Sequence, residues 1–157
     1  MSDLYDRDFY AWANQQATLL KRRAAGELTD DTTPDWLNLA TEIESMGRSE
    51  KRELVSRLAV LLLHLLKWQY QPTRRGKTSR VSIENTRDDL QRHLADNPSL
   101  KAKLPEAIAD AYRRSRRDAY AETDLPEQIF PPECPWSYDQ IIDPVFWPDG
   151  NQPPERI

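Results

Sequence analysis

The stretch from Glu50 to Tyr70 limits what this chain can fold into more than any other. Leu54, Val55, Leu58, Leu61, Leu62, Leu65 and Leu66 recur at three- and four-residue steps, and Ala59, Val60 and Leu63 carry the apolar surface further around the cylinder. A helix that is apolar on most sides needs neighbours on most sides, so this segment predicts the central helix of an all-helical core. Pro72 ends it, because proline cannot donate the next helical hydrogen bond. No apolar run approaches the ~20 residues that a membrane span requires, and the mean hydropathy of -0.82 predicts a wet surface.

The flanking segments supply the neighbours. Trp12, Ala13, Gln16, Leu19 and Leu20 have helical spacing, with Gly26 placed to close the helix. Thr33-Pro34 reads as a capping hydroxyl followed by proline at the first helical position, and Trp36, Ala40, Ile43 and Gly47 then line one face. The glycine predicts a break there, with Ser49 capping the central helix. Ile83, Arg87, Leu90 and Leu94 mark a further helix, stopped by Asn97-Pro98. Ile108, Ala111, Tyr112, Ser115 and Ala119 mark another, ending near Leu125-Pro126, with Pro105 expected to kink its start. Between Pro72 and Ile83 the residues Arg74, Arg75, Lys77 and Arg80 predict a basic, mobile connection.

After Pro126 the texture becomes proline-rich yet keeps Ile129, Phe130, Trp136, Tyr138, Ile141, Ile142, Val145, Phe146 and Trp147. Disordered segments lack such aromatics, so an irregular arm laid on the helices is expected, with Ser137 and Gln140 at capping-box spacing for a short helix. The fold read from these signals is all-α. It is a bundle of about five helices over 1–125 with a mostly irregular C-terminal arm over 126–157, together one domain of ordinary size.

The charges narrow the functional classes. A net charge of -4 means that a nucleic-acid partner would have to be drawn by a local patch rather than by the whole molecule. The cluster Arg113, Arg114, Arg116 and Arg117, beside Tyr112 and Tyr120, is the best such patch, since guanidinium forks suit phosphates and tyrosines stack on bases. Asp110, Asp118 and Glu122 balance it, which fits a solvated helix face equally. Asp3, Asp6 and Asp8 occupy the start instead of a basic and then apolar leader, so a cytoplasmic location is expected. The single cysteine, Cys134, agrees with a reducing compartment and reads as a packing residue rather than a nucleophile.

On an ideal helix Glu53, Arg57 and His64 fall close to one line, off to one side of the leucines. Either they form ion pairs and hydrogen bonds at a helix contact, or they join Glu42, Glu44 and Arg48 around a cleft for a small polar ligand. Helical metal proteins build their sites from Glu-x-x-His, but the residue three before His64 is Leu61 and the other histidine, His93, sits in a charged stretch. No metal ligand set, no cofactor and no catalytic residue is therefore assigned.

Four strings together resemble an uncharacterised bacterial helical family, domain of unknown function twenty-nine. They run from Tyr5 to Trp12 (YDRDFYAW), Glu42 to Glu50 (EIESMGRSE), His64 to Pro72 (HLLKWQYQP) and Phe130 to Trp136 (FPPECPW), in that order across almost the whole chain. The resemblance implies a helical fold and carries no activity. The expected function is a non-catalytic binding or interaction protein of the bacterial cytoplasm, with no membrane and with its partner left open between another protein, a second copy and, less favoured, a nucleic acid. The alternatives are a nucleic-acid-associated protein using the arginine cluster, and a metal- or small-ligand-binding enzyme centred on His64.

Overall fold

A computed structural model describes residues 3–27 and 33–148. They form six α-helices, α1 (Asp3–Arg7), α2 (Phe9–Ala24), α3 (Trp36–Tyr70), α4 (Lys77–Asp96), α5 (Leu104–Glu122) and α6 (Tyr138–Ile142), with no strand among the described residues. The fold is all-α. Its contacts divide the chain into two compact units, Met1–Ser49 and Glu50–Ile157. Among the described helices none is long and apolar enough to cross a membrane.

In the first unit, Asp8 caps α2 by accepting from the Ala11 amide at 3.0 Å. Trp12, Gln16 and Leu19 are its buried positions. Tyr5 meets Trp12 edge-on with ring centroids 4.7 Å apart, and Gly26 leaves the helix with φ +80°, where a side chain would be strained. Asp35, rather than Thr33, organises the start of α3. Its carboxylate accepts from the side-chain amide of Asn38 at 2.8 Å and from the Trp12 indole at 3.2 Å, and its own amide donates to the Gln16 side chain at 2.7 Å. The Asn38 side-chain contact first, and then the Trp12 contact, hold the Asp35 carboxyl below its ordinary value against the opposing pull of burial. Pro34 is buried just outside the helix.

The expected break at Gly47 does not occur: α3 is one helix of 35 residues. One helical glycine costs only about 1 kcal/mol relative to alanine, too little to end a helix that the leucine run beyond it stabilises. The face of Trp36, Ala40, Ile43 and Gly47 is exposed, whereas Asn38, Leu39, Glu42 and Ser45 are half-buried.

In the second unit, Leu54, Leu58, Leu61, Leu62, Leu65 and Leu66 of α3 are fully buried with Ile83, Leu90 and Leu94 of α4 and Leu104, Ala107, Ala111, Tyr112 and Ala119 of α5. Small side chains let two helices approach closely, and the buried Ser115 hydroxyl donates to the Ala59 carbonyl at 2.9 Å as well as lying 2.6 Å from that of Ala111. The basic connection is ordered rather than mobile. A 3-10 turn fills Pro72–Arg74 and α4 starts at Lys77, earlier than Ile83 suggests. Arg75 folds back to donate to the carbonyls of Trp68 at 2.6 Å and Gln69 at 3.3 Å, satisfying two end carbonyls of α3. Pro105 sits in the first turn of α5, where its missing N–H costs nothing, and a 3-10 turn over Pro98–Lys103 precedes it in place of a kink.

Beyond α5, Phe130, Trp136, Ile141 and Trp147 are buried, and Ser137 and Gln140 form the reciprocal capping box of α6. Trp147 lies 4.5 Å from Trp68 and Phe130 meets Tyr70 edge-on at 5.4 Å. Residues 149–157, which complete the expected arm, lie outside the described residues.

A candidate ligand cavity beside His64

The charged residues expected on one cleft are distributed over both units. Glu42, Glu44 and Arg48 belong to the first, where Glu42 accepts from the Tyr5 hydroxyl at 3.4 Å and Glu44 and Arg48 are exposed. Glu53, Arg57 and His64 belong to the second. Arg57 pairs with Glu53 one turn away at 2.9 Å and lies 3.8 Å from Asp89 of α4, so these charges pair at a helix contact, although the buried Arg57 Nε makes no aligned hydrogen bond.

His64 faces different company. A cavity of about 330 Å³ opens beside it, lined also by Lys67, Trp68 and Gln71 of α3 and its end, Arg74 of the 3-10 turn, Ser79 in the first turn of α4 and Glu122 at the end of α5. That volume is at the lower end of those that hold small molecules. Lys67 is paired with Glu122. The Ser79 hydroxyl donates to the Arg74 carbonyl at 3.2 Å, which ties the turn to the helix that follows. Trp68, in the wall, is 3% exposed, and its indole N–H has no hydrogen-bond partner. Burial holds the His64 imidazole below its ordinary value, Lys67 pushes in the same direction, and Glu122 opposes both. The imidazole is therefore neutral near pH 7, one nitrogen donating and one accepting.

The wall thus combines a guanidinium, an ammonium held by a carboxylate, a neutral imidazole, an amide and a hydroxyl with the buried indole of Trp68. Donors outnumber acceptors, which suits a small ligand rich in oxygen acceptors, and the Arg74 fork can take a carboxylate or phosphate in two parallel bonds. His64, Lys67, Trp68 and Gln71 stand at i, i+3, i+4 and i+7. The helical arithmetic that singled out Glu53 and Arg57 finds this face when carried toward the C-terminus instead. No sequence signal places Glu122 opposite it.

The arginine cluster is divided in use. Arg113 pairs with Asp110 on its own helix, while Arg116 donates to the carbonyls of Phe130 at 3.2 Å and Glu127 at 3.3 Å and to the Glu127 carboxylate at 3.1 Å. Arg114 and Arg117 are exposed. Two of the four guanidiniums are thus engaged by the protein itself.

Two buried polar residues outside the expected seam hold the C-terminal segment and α4 in place. Arg87, 3% exposed, donates to the carbonyls of Ile141 and Phe146, both at 2.8 Å, and lies over the Trp147 ring at 5.5 Å. Burial lowers its pKa to about 10, against the pull of Asp143 and Glu84. His93, passed over in its charged stretch, is buried, with Nε2 2.9 Å from the Glu50 carbonyl. Cys134 is half-buried, burial raises its thiol pKa, and its Sγ lies 3.5 Å from the Trp136 carbonyl, an arrangement for packing rather than for a thiolate. Among the described residues no group of three or more His, Cys, Asp or Glu could hold a metal ion.

Fold and site define an all-helical protein with a small polar cavity at the end of its central helix. The chain belongs to the family described as Domain of unknown function DUF29, whose model matches residues 4–147, the span over which the four strings occur. No curated protein and no solved structure matches it.

Proposed function

We propose that this protein is a non-catalytic binding protein of the bacterial cytoplasm that holds a small, oxygen-rich polar ligand in the cavity beside His64. One observation carries the reading: the 330 Å³ cavity is lined by Arg74, His64, Gln71 and Ser79, a donor-rich set drawn from three segments of the chain. The half-buried lone thiol of Cys134 agrees with a reducing compartment.

Native mass spectrometry of the untagged full chain, purified from its own host with whatever stays bound, tests this directly. A small added mass on the wild type that Arg74→Ala and His64→Ala both remove is the expected result. A bare wild-type mass, or an adduct that both variants retain, overturns the cavity as the binding site. The nucleic-acid reading has less support, because the protein uses Arg113 and Arg116 internally.

A further inference from the structure

The first part of α3 presents an apolar face to solvent. Trp36 is 52% exposed and Ile43 67%, Ala40 and Gly47 are exposed between and beyond them, and the flanking Leu37 and Met46 are 83% and 67% exposed. A Cβ built on Gly47 meets nothing within 4 Å, so the space above it is open. Positions 36, 40, 43 and 47 follow the 4-3-4 spacing of a coiled-coil seam and fall within about 60° of one another on a helix turning 100° per residue. Scattered apolar residues on a surface are ordinary, whereas large apolar side chains gathered on one exposed helix face point to an interaction surface.

The order of sizes along this seam identifies what covers it. It reads large, small, large, small: Trp36, Ala40, Ile43, Gly47. We propose that a second copy of this chain packs on it antiparallel, about a two-fold axis midway between Ala40 and Ile43. Such an axis sets Trp36 against Gly47 of the second copy and Ala40 against its Ile43, and then repeats both pairs by symmetry. Every layer joins a large side chain to a small one, which is how facing helices fill space without voids or clashes. Leu39 and Met46 meet on one flank of the same arrangement. A parallel, in-register pair would stack tryptophan on tryptophan and leave glycine facing glycine, so the sequence is complementary to itself in the antiparallel sense. The absence of a side chain at Gly47 makes room for the Trp36 ring of the second copy; the surface is independent of the His64 cavity.

Sedimentation velocity on the full-length protein, with far-UV circular dichroism as the control for folding, tests the proposal. The wild type is expected to sediment as a dimer. Ile43→Glu, which places a charge in both central layers, is expected to weaken it by at least about 100-fold with helicity unchanged, because the position is exposed. Ala40→Ile alone should weaken the dimer by crowding Ile43, and Ala40→Ile/Ile43→Ala should restore it, since exchanging the sizes rebuilds the large-to-small layers only if positions 40 and 43 face each other between copies. A monomeric wild type, a dimer indifferent to Ile43→Glu, loss of helicity in that variant, or no recovery in the double variant each overturns the proposal.

Discussion

Arg87 donates from Nε to the carbonyl oxygen of Ile141 at 2.8 Å, joining α4 to a residue 54 positions later in the chain. The same guanidinium reaches the Phe146 carbonyl at 2.8 Å and lies over the Trp147 ring. A planar fork can serve two divergent carbonyls, and a lysine ammonium in its place can reach only one. Arg87→Ala is therefore expected to lower the unfolding free energy by about 2–4 kcal/mol, as two charge-assisted bonds are lost and two buried carbonyls are orphaned. Arg87→Lys should recover less than half. Urea denaturation of the three proteins checks this, and equal stability of wild type and Arg87→Ala would show that the clamp contributes nothing net.

Trp147→Ala is expected to cost about 3–5 kcal/mol, the range for emptying a large aromatic site. Trp147 is buried against Trp68 at 4.5 Å and carries the Arg87 guanidinium, so the substitution opens a cavity and uncovers a charge together. The same change at Val145, which is 65% exposed, should fall within about 0.5 kcal/mol of wild type. Thermal denaturation of both variants separates a packed C-terminal segment from a loosely attached one.

Much of the fold was legible because its signals are periodic or local. The leucines of α3 are buried as their spacing requires, and Ser137 with Gln140 makes the capping box that its three-residue offset announced. Local pattern misleads where tertiary context decides. Gly47 looked like a helix end because glycine is a poor helix former, yet its cost is small beside the stabilisation of a 35-residue helix. Thr33-Pro34 looks like a cap, but Asp35 takes that part by accepting from the Asn38 amide at 3.4 Å, and its contacts with Trp12 and Gln16, which no local pattern reveals, fix it there. The basic connection between Tyr70 and Lys77 looks mobile because the acceptors of Arg75, the end carbonyls of α3, are visible only once the chain has turned back. The candidate site was half legible: His64 was singled out, but its partners Arg74, Ser79 and Glu122 come from three other segments.

The four clustered arginines are expected to separate by role. Arg116 spans two carbonyls and a carboxylate of the segment after α5, so Arg116→Ala should lower stability by about 1–3 kcal/mol. Arg114 and Arg117 are exposed, and their alanine variants should stay within about 0.5 kcal/mol of wild type. Chemical denaturation measures all three. Equal, negligible effects would mean that Arg116 is as free as its neighbours and would return it to a surface patch.

His64 should report on the cavity through its proton. Its folded pKa lies below the ordinary 6.5 because burial, and secondarily Lys67, disfavour the imidazolium, while Glu122 favours it. The folded protein thus binds this proton more weakly than the unfolded chain does. Well above pH 6.5 neither state is protonated and the group contributes nothing. As pH falls through 6.5 the unfolded chain gains the proton first, so stability declines until the pH has passed below the folded midpoint, where the penalty is complete. Wild type is accordingly expected to lose more stability than His64→Gln as the pH falls from neutral through that window. Titration of the imidazole by proton NMR should give a midpoint below 6.5, shifted lower still in Glu122→Gln, because that substitution removes the one charge opposing the shift. A midpoint at or above 6.5 would place His64 in open solvent or beside an uncompensated carboxylate, and the neutral donor and acceptor required of the cavity wall would be lost.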